Sequence, residues 1–245
     1  MHPAASLQAF VSASEALLPT GFGELDSALG GGFSRGSVAT LEGPAGSGRS
    51  AIAARLLATA TANGGLAVLI EAPAGDEGAL YPPALAAAGV DLRRLLVVPA
   101  SDARAVARAA DIVLRSAAFG VVVIPTVRLA ATAWTRLANL THRAGALLIA
   151  LGFEASDELR YFASLRVRLR SERVRWAGGS GPFCALAAAG AEATVLKHKR
   201  AAPGRRAHLQ RATFESAGPP LAALRERDLI PELLHETRSE RILAL

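Results

Sequence analysis

The stretch EGPAGSGRS, Glu42 to Ser50, decides how the chain is read. Gly43, four intervening residues, Gly48 and a hydroxyl at Ser50 have the spacing of a phosphate-binding loop, in which backbone N–H groups cradle phosphate oxygens at the start of a helix. Between Gly48 and Ser50 stands Arg49, where the G-x-x-x-x-G-K-[ST] pattern has lysine. The flanks fit the loop. Ser37 to Glu42 reads as a short strand, and Ala51 to Ala62, AIAARLLATATA, as a helix closed by Asn63-Gly64-Gly65. The amides of Gly46, Ser47, Gly48, Arg49 and Ser50 at that helix start can hold a phosphate without any carboxylate.

Working outward, LAVLIEA, LLVVPA, FGVVVIP and ALLIALGF are short, continuously apolar runs separated by helical stretches, which predicts a parallel sheet buried on both faces. After Asp157 the segments YFASLRVRLRSERVRWAGG and GAEATVLKHKRAAPG alternate and are joined by turns, as antiparallel strands would be. Residues 1–19 read as an N-terminal helical segment stopped at Pro19, 20–216 as the α/β core, and 217–245 as an amphipathic tail after Gly218-Pro219-Pro220. Leu233 and Leu234 belong to an apolar stripe near helical spacing in that tail, and the chain ends on Ile242-Leu243-Ala244-Leu245. Such a tail either packs on the core or docks on a partner, and docking through Leu233, Leu234, Ile242, Leu243 and Leu245 is the preferred reading.

Composition narrows the classes. At 245 residues and 51% hydrophobic, the chain can build its core without disulfides, and the single Cys184 cannot form an internal bridge. MHPAASLQAF has neither the basic start nor the apolar run of a secretory signal, which points to the cytoplasm. No apolar run reaches the roughly 18 residues that span a bilayer, so no membrane contact is expected. A net charge of +6 and a pI of about 10.6 suit contact with nucleic acid or with an acidic protein. Alternation sets Arg166, Arg168 and Arg170 on one strand face, which is either a face kept soluble by arginine or a track for DNA phosphates or acidic protein. The histidines His142, His198, His208 and His235 show no metal-ligand spacing, and no metal site is expected. Of the 27 basic residues only Lys197 and Lys199 are lysine.

Taken together, these segments resemble the RecA recombinase family over Leu17 to Phe214. TGFGELDSALGGGFSRGSVATLEGPAGSGRS is similar to the family's entry to its ATP site, and AGVDLRRLLVV to the strand after its third helix. ELRYFASLRVRLR and EATVLKHKRAAPGRRA are similar to its two later strand regions. The resemblance implies an α/β, RecA-like core with a central, mostly parallel sheet flanked by helices, then antiparallel strands and the short tail. It also implies that Tyr81 lies where the family stacks adenine. Lys197 and Lys199 match the lysines that reach across the filament interface to a neighbour's ATP, against the bland reading of a solvated strand end.

The departures from that pattern shape the functional expectation. The family's metal-orienting acid is replaced by Pro125, and the register sets Pro73 at its water-polarising carboxylate, with Asp76 and Glu77 as the nearest substitutes. Arg49 cannot act as a compact ammonium under the phosphates. Phe153 stands where the family has a γ-phosphate-sensing glutamine, and neither TVRLAATAWTRLANL nor GFEASDELRYFAS holds a Gly-rich DNA-binding loop. No catalytic residue and no required cofactor are therefore expected, with ATP at most bound without hydrolysis. This combination resembles the ImuA family of translesion mutagenesis cassettes. That likeness implies a cytoplasmic, nucleoid-associated accessory protein of the SOS response. Its implied partners are RecA, an inactive Y-family polymerase homologue and an error-prone polymerase, with weak or indirect DNA binding. The competing reading is an enzyme, a small RecA-like DNA-dependent ATPase or recombinase with an atypical loop; a third is a cell-division inhibitor of the same lineage.

Overall fold

The runs LAVLIEA, FGVVVIP and ALLIALGF pack on both faces of the sheet, as expected, whereas LLVVPA forms its edge, where Leu96 and Val97 are 45% and 42% exposed. The computed structural model describes residues 17–62, 64–72, 81–172, 175–177 and 185–212, excepting the side chains of 175–177, 185–188 and 211–212. The main sheet contains β3 (Ser37–Glu42), β4 (Leu66–Glu71), β5 (Leu95–Pro99), β6 (Phe119–Pro125), β7 (Leu147–Gly152), β8 (Leu165–Ser171), β10 (Ala185–His198) and β11 (Arg206–Ala212). Their spatial order is β11-β10-β8-β3-β7-β6-β4-β5. The strands from β8 to β5 pair in parallel, and β10 runs antiparallel to β8, as the alternating segments predict. Along β10 the register slips between Val195 and Lys197, so Leu196 forms a bulge.

Helices cover both faces: α1 (Gly23–Leu29), α2 (Arg49–Ala62), α3 (Pro82–Ala87), α4 (Ala103–Ser116), α5 (Ala131–Ala144) and α6 (Asp157–Phe162). On one face Ile52, Leu56 and Leu57 of α2 pack with Leu41, Val167 and Leu169; on the other Val38, Val122, Ile124 and Leu148 meet Trp134 and Leu137 of α5. Trp134 is thus a fully buried core residue. Asp102 caps α4 by accepting from the Ala105 N–H, and Ser156 caps α6 by accepting from the Leu159 N–H.

One expectation is corrected at the chain's start. Leu17 and Leu18, read as the end of an N-terminal helix, form β1 (Leu17–Leu18), paired antiparallel with β2 (Phe33–Ser34). The reason is local: the Asp26 carboxylate accepts from the Thr20 hydroxyl and from the N–H groups of Thr20 and Gly21, which holds the turn after Pro19 and sends the leucines alongside Phe33. The rest of the proposed helix, residues 1–16, lies outside the described residues. By its internal contacts the chain divides into residues 1–172 with 190–209, and residues 173–189 with 210–245. The second unit holds β9 (Arg175–Ala177), whose Trp176 and Ala177 pair with Leu186 and Ala185. The proposed docking residues Leu233, Leu234, Ile242, Leu243 and Leu245 lie outside the described residues.

Candidate nucleotide site

The loop from Gly43 to Gly48 joins the end of β3 to the start of α2, as its spacing predicts. Gly43 is tightly enclosed: its N–H donates to the carbonyls of Gly152 and Phe153, and a Cβ here would overlap the carbonyl oxygen of Leu169. Only glycine fits that approach. Gly46 and Gly48 both have positive φ, and the Ser47 N–H closes the turn onto the Pro44 carbonyl at 3.1 Å. Ser47 is fully buried, and its Oγ has no hydrogen-bond partner among the described residues. Arg49, the first residue of α2, is only 5% exposed, so its side chain is not a cation held out in solvent.

Directly before the loop, a site appears that the apolar reading of the strand conceals. Glu42 is fully buried at the end of β3, and Arg166 of β8 grips it with both arms of its guanidinium, Nε to Oε1 at 2.8 Å and Nη2 to Oε2 at 3.0 Å. Thr40 Oγ1 donates to Oε1 at 2.7 Å. Burial pushes the Glu42 carboxyl up, but the bonds from Arg166 and Thr40, the charge of Arg166 and the Ala155 N–H outweigh it and hold the group below the usual carboxylate range. Glu42 therefore stays ionised and binds three parts of the chain beneath the loop: β3, β8 and the segment after β7. The signal for it is a carboxylate two residues after Thr40 in a strand otherwise apolar; its partner, 124 positions away, has no local signature.

At the carboxyl ends of the neighbouring strands the chemistry is different. β6 ends on Pro125, opposite Leu151, and the Thr126 N–H donates to the Leu151 carbonyl. The Thr126 side chain lies so close over Gly152 that no Cβ could be added there. Phe153 follows, 65% exposed. Thr126 to Ala130 leads straight into α5, and the segment from Phe153 to β8 is taken up by the single turn and a half of α6. Glu71 ends β4 as a half-buried carboxylate. Tyr81 is exposed and precedes Pro82 at the start of α3; Pro73, Asp76 and Glu77 lie outside the described residues. The glycine loop, with its buried, unpartnered Ser47 hydroxyl, fits a phosphate group. Among the described residues ahead of it, β6 contributes no carboxylate, Glu42 is committed to Arg166, and no cluster of metal-ligating side chains occurs.

A family model described as the RecA N-terminal domain matches residues 8–139, more than half of the chain. The chain belongs to the RecA-like superfamily. It is 30% identical over 227 residues to the RecA protein of a Picosynechococcus species, an alignment covering 78% of this chain and 63% of that protein. It is 40% identical over 103 residues to RecA of Nostoc punctiforme, covering 42% of this chain and 28% of that one. The chain thus spans less than two thirds of the length of these relatives. Among solved structures it resembles the RadB recombinase with a TM-score of 0.59 and 20% identity, over 78% of this chain and 94% of that one, which concerns the fold alone.

In this RecA-like chain the two lysines do different things. Lys197 Nζ donates to the carbonyls of Arg160 and Tyr161 at 2.8 and 2.9 Å, satisfying the last turn of α6. Burial, then the charges of Lys199 and Arg166, bring its pKa below that of an ordinary lysine. Lys199 is exposed, and its backbone N–H donates to the Ser164 carbonyl. The arginine row is likewise divided. Arg166 is drawn onto Glu42, Arg168 lies 3.9 Å from both Glu42 and Glu154, and Arg170 points to solvent. No helix among the described residues is long and apolar enough to cross a membrane.

Proposed function

We propose that this RecA-like chain is a non-enzymatic accessory protein of SOS-linked translesion DNA synthesis, of the ImuA kind, that binds RecA and the polymerase partners of its cassette. The observation that carries the reading is Pro125 at the carboxyl end of β6. Phosphoryl transfer needs positioned charge far more than covalent chemistry, and a pyrrolidine ring offers no oxygen to a metal-bound water. Nearby, Arg49 is buried and Glu42 is neutralised by Arg166, so neither supplies what β6 lacks. The loop amides from Gly46 to Ser50 and the Ser47 hydroxyl are suited to holding ATP without turning it over. Contact with RecA falls to exposed Lys199 and to Tyr161, 76% exposed on α6, while Lys197 holds the end of that helix. Direct grip on DNA is weak because the connectors after β6 and β7 are short.

Glu71 favours the enzyme reading, since it ends a strand as a half-buried carboxylate. One experiment separates the two. ATP hydrolysis is measured with and without single-stranded DNA for the wild type, Arg49→Lys and Glu71→Gln, alongside binding to RecA. Background hydrolysis in all three with RecA binding intact is expected. DNA-stimulated turnover that Glu71→Gln abolishes would establish an ATPase instead.

A further inference from the structure

The helices on the two faces of the sheet share the charge unequally. On the Trp134 face α4 bears Arg104, Arg108 and Arg115, α5 bears Arg136 and Arg143, and Asp111 is the one carboxylate on either helix. On the other face α1, α2 and α3 together carry two arginines, Arg49 and Arg55, beside two acids, Glu24 and Asp26. A chain merely rich in arginine would have spread it over both faces.

Position sharpens the contrast. Arg104, Arg108, Ile112 and Arg115 recur at helical spacing, so they form a single exposed row along α4, about 16 Å long at about 1.5 Å per residue. Asp111 joins this row to the next helix: Arg115 Nη2 lies 2.8 Å from its Oδ2, and Arg136 Nε donates to Oδ1 from α5. The row therefore flanks the groove between α4 and α5 rather than the free edge at β5. Arg143 continues the other bank of that groove about two turns beyond Arg136. Arg104, Arg108 and Arg143 are exposed and form no ion pair among the described residues.

Ile112 decides what the groove suits. It is 59% exposed, between Arg108 and Arg115 in the row. A nucleic-acid strand gains from a planar side chain among the cations, on which a base can stack, and neither helix exposes a Phe, Tyr or Trp, since Trp134 is fully buried. A branched aliphatic side chain ringed by guanidinium groups is instead the pattern of a protein interface, an apolar anchor within a charged rim. The chain's own segment 217–245, with five acids against four arginines, is a poor match for so many unpaired cations. We infer that the α4–α5 groove docks an acidic amphipathic helix of a partner protein, its carboxylates meeting the arginines of both banks and an apolar side chain resting on Ile112. This surface uses neither the glycine loop nor Lys199 and Tyr161, so it stands or falls apart from the accessory reading.

The test titrates the full chain, by fluorescence anisotropy, with a labelled peptide of roughly 18 residues, about five helical turns, that sets glutamates on both flanks of a leucine seam; a scrambled peptide of the same composition is run beside it. Saturable binding of the ordered peptide is expected, about tenfold or more tighter than the scrambled one, and it weakens as salt is raised. Ile112→Ser and the pair Arg108→Glu/Arg143→Glu should each weaken it by about tenfold. These positions are exposed and leave Asp111 with both its partners; melting curves check the variants, and the comparison of the two peptides needs none of them. Equal affinity for both peptides, or binding of neither, rejects the groove. The same titration with a single-stranded oligonucleotide decides the nucleic-acid alternative. Tighter oligonucleotide binding that Arg108→Glu/Arg143→Glu abolishes and Ile112→Ser leaves unchanged would overturn the proposal. Self-association in sedimentation velocity that Ile112→Ser abolishes would assign the groove to a second copy of the chain and overturn it as well.

Discussion

The carboxyl ends of β3 and β6 lie in one sheet with only β7 between them, yet they have followed opposite courses. At β3 every backbone requirement of a phosphate loop is met: Gly43 against the Leu169 carbonyl, positive φ at Gly46 and Gly48, a buried Ser47, and Glu42 clamped by Arg166 underneath. At β6 the strand stops on a proline, and Thr126 folds over Gly152 where a reactive side chain would need room. The difference teaches that the cradle for a phosphate and the groups that would break its bond are specified separately. The cradle is built into the core through Glu42 and Gly43, so losing it would cost the fold. Pro125, which ends β6, is half-buried at the rim, where an exchange disturbs little of the core.

The sharpest way to break that comparison is to unpair Glu42. Arg166→Met should cost about 3–5 kcal/mol, because it strands a buried charge, and the double variant Arg166→Met/Glu42→Leu should recover most of it; chemical denaturation measures both. A single-variant cost under about 1 kcal/mol would mean the clamp does not support the loop. The same pair predicts an acid limb. With its pKa held below the ordinary 4.5, Glu42 stabilises the fold above that pH, and the contribution is lost as pH falls through the lowered value. Melting curves of Glu42→Gln should lack this limb.

A smaller effect sharpens the contrast between the two strand ends. Gly48→Ala forces a side chain to φ +91° with the Ala191 Cβ 3.3 Å away, and should cost about 1–3 kcal/mol. Pro125→Ala should change stability by no more than about 0.5 kcal/mol, since nothing in the core depends on that ring. Equal costs at the two positions would erase the distinction. The smallest effect lies away from both. Nδ1 of His208 is 2.6 Å from Glu172, and that bond, then the charges of Glu172, Glu192 and Glu24, raise the His208 pKa against a slight opposing burial. The pair's contribution is fully present below about pH 6.5 and fades as pH rises through the raised value. His208→Gln should flatten a slight alkaline decline in melting temperature, read by calorimetry.

Most of the sheet is legible in the sequence because burial on both faces demands uninterrupted apolar runs, and LAVLIEA, FGVVVIP and ALLIALGF meet that demand within a few residues each. The phosphate loop is equally legible, since its glycines, strand and helix are neighbours in the chain. What escapes is whatever depends on a distant partner. The clamp on Glu42 joins residues 124 positions apart, and alternation alone puts Arg166 with Arg168 and Arg170 on a solvent face. Helix propensity in LQAFVSASEALL says nothing of the Asp26 turn that takes Leu17 and Leu18 into a strand. The arginine-banked groove is invisible for the same reason: Arg115 and Arg136 meet across Asp111 only once α4 and α5 lie side by side.

The end of β10 has a consequence for how the two lysines are inherited. Strand side chains follow a two-step beat, and residues two apart ordinarily share a face and a fate. The strand stops at His198, so the K-x-K pair, which looks like a single motif in the linear text, is split into a lysine within the strand that closes a helix and an exposed lysine in the turn beyond it. Each can then drift under its own constraint, Lys197 answering to the stability of α6 and Lys199 to what it meets in solution. A lineage that carried the strand two residues further would rejoin the two and forfeit that independence.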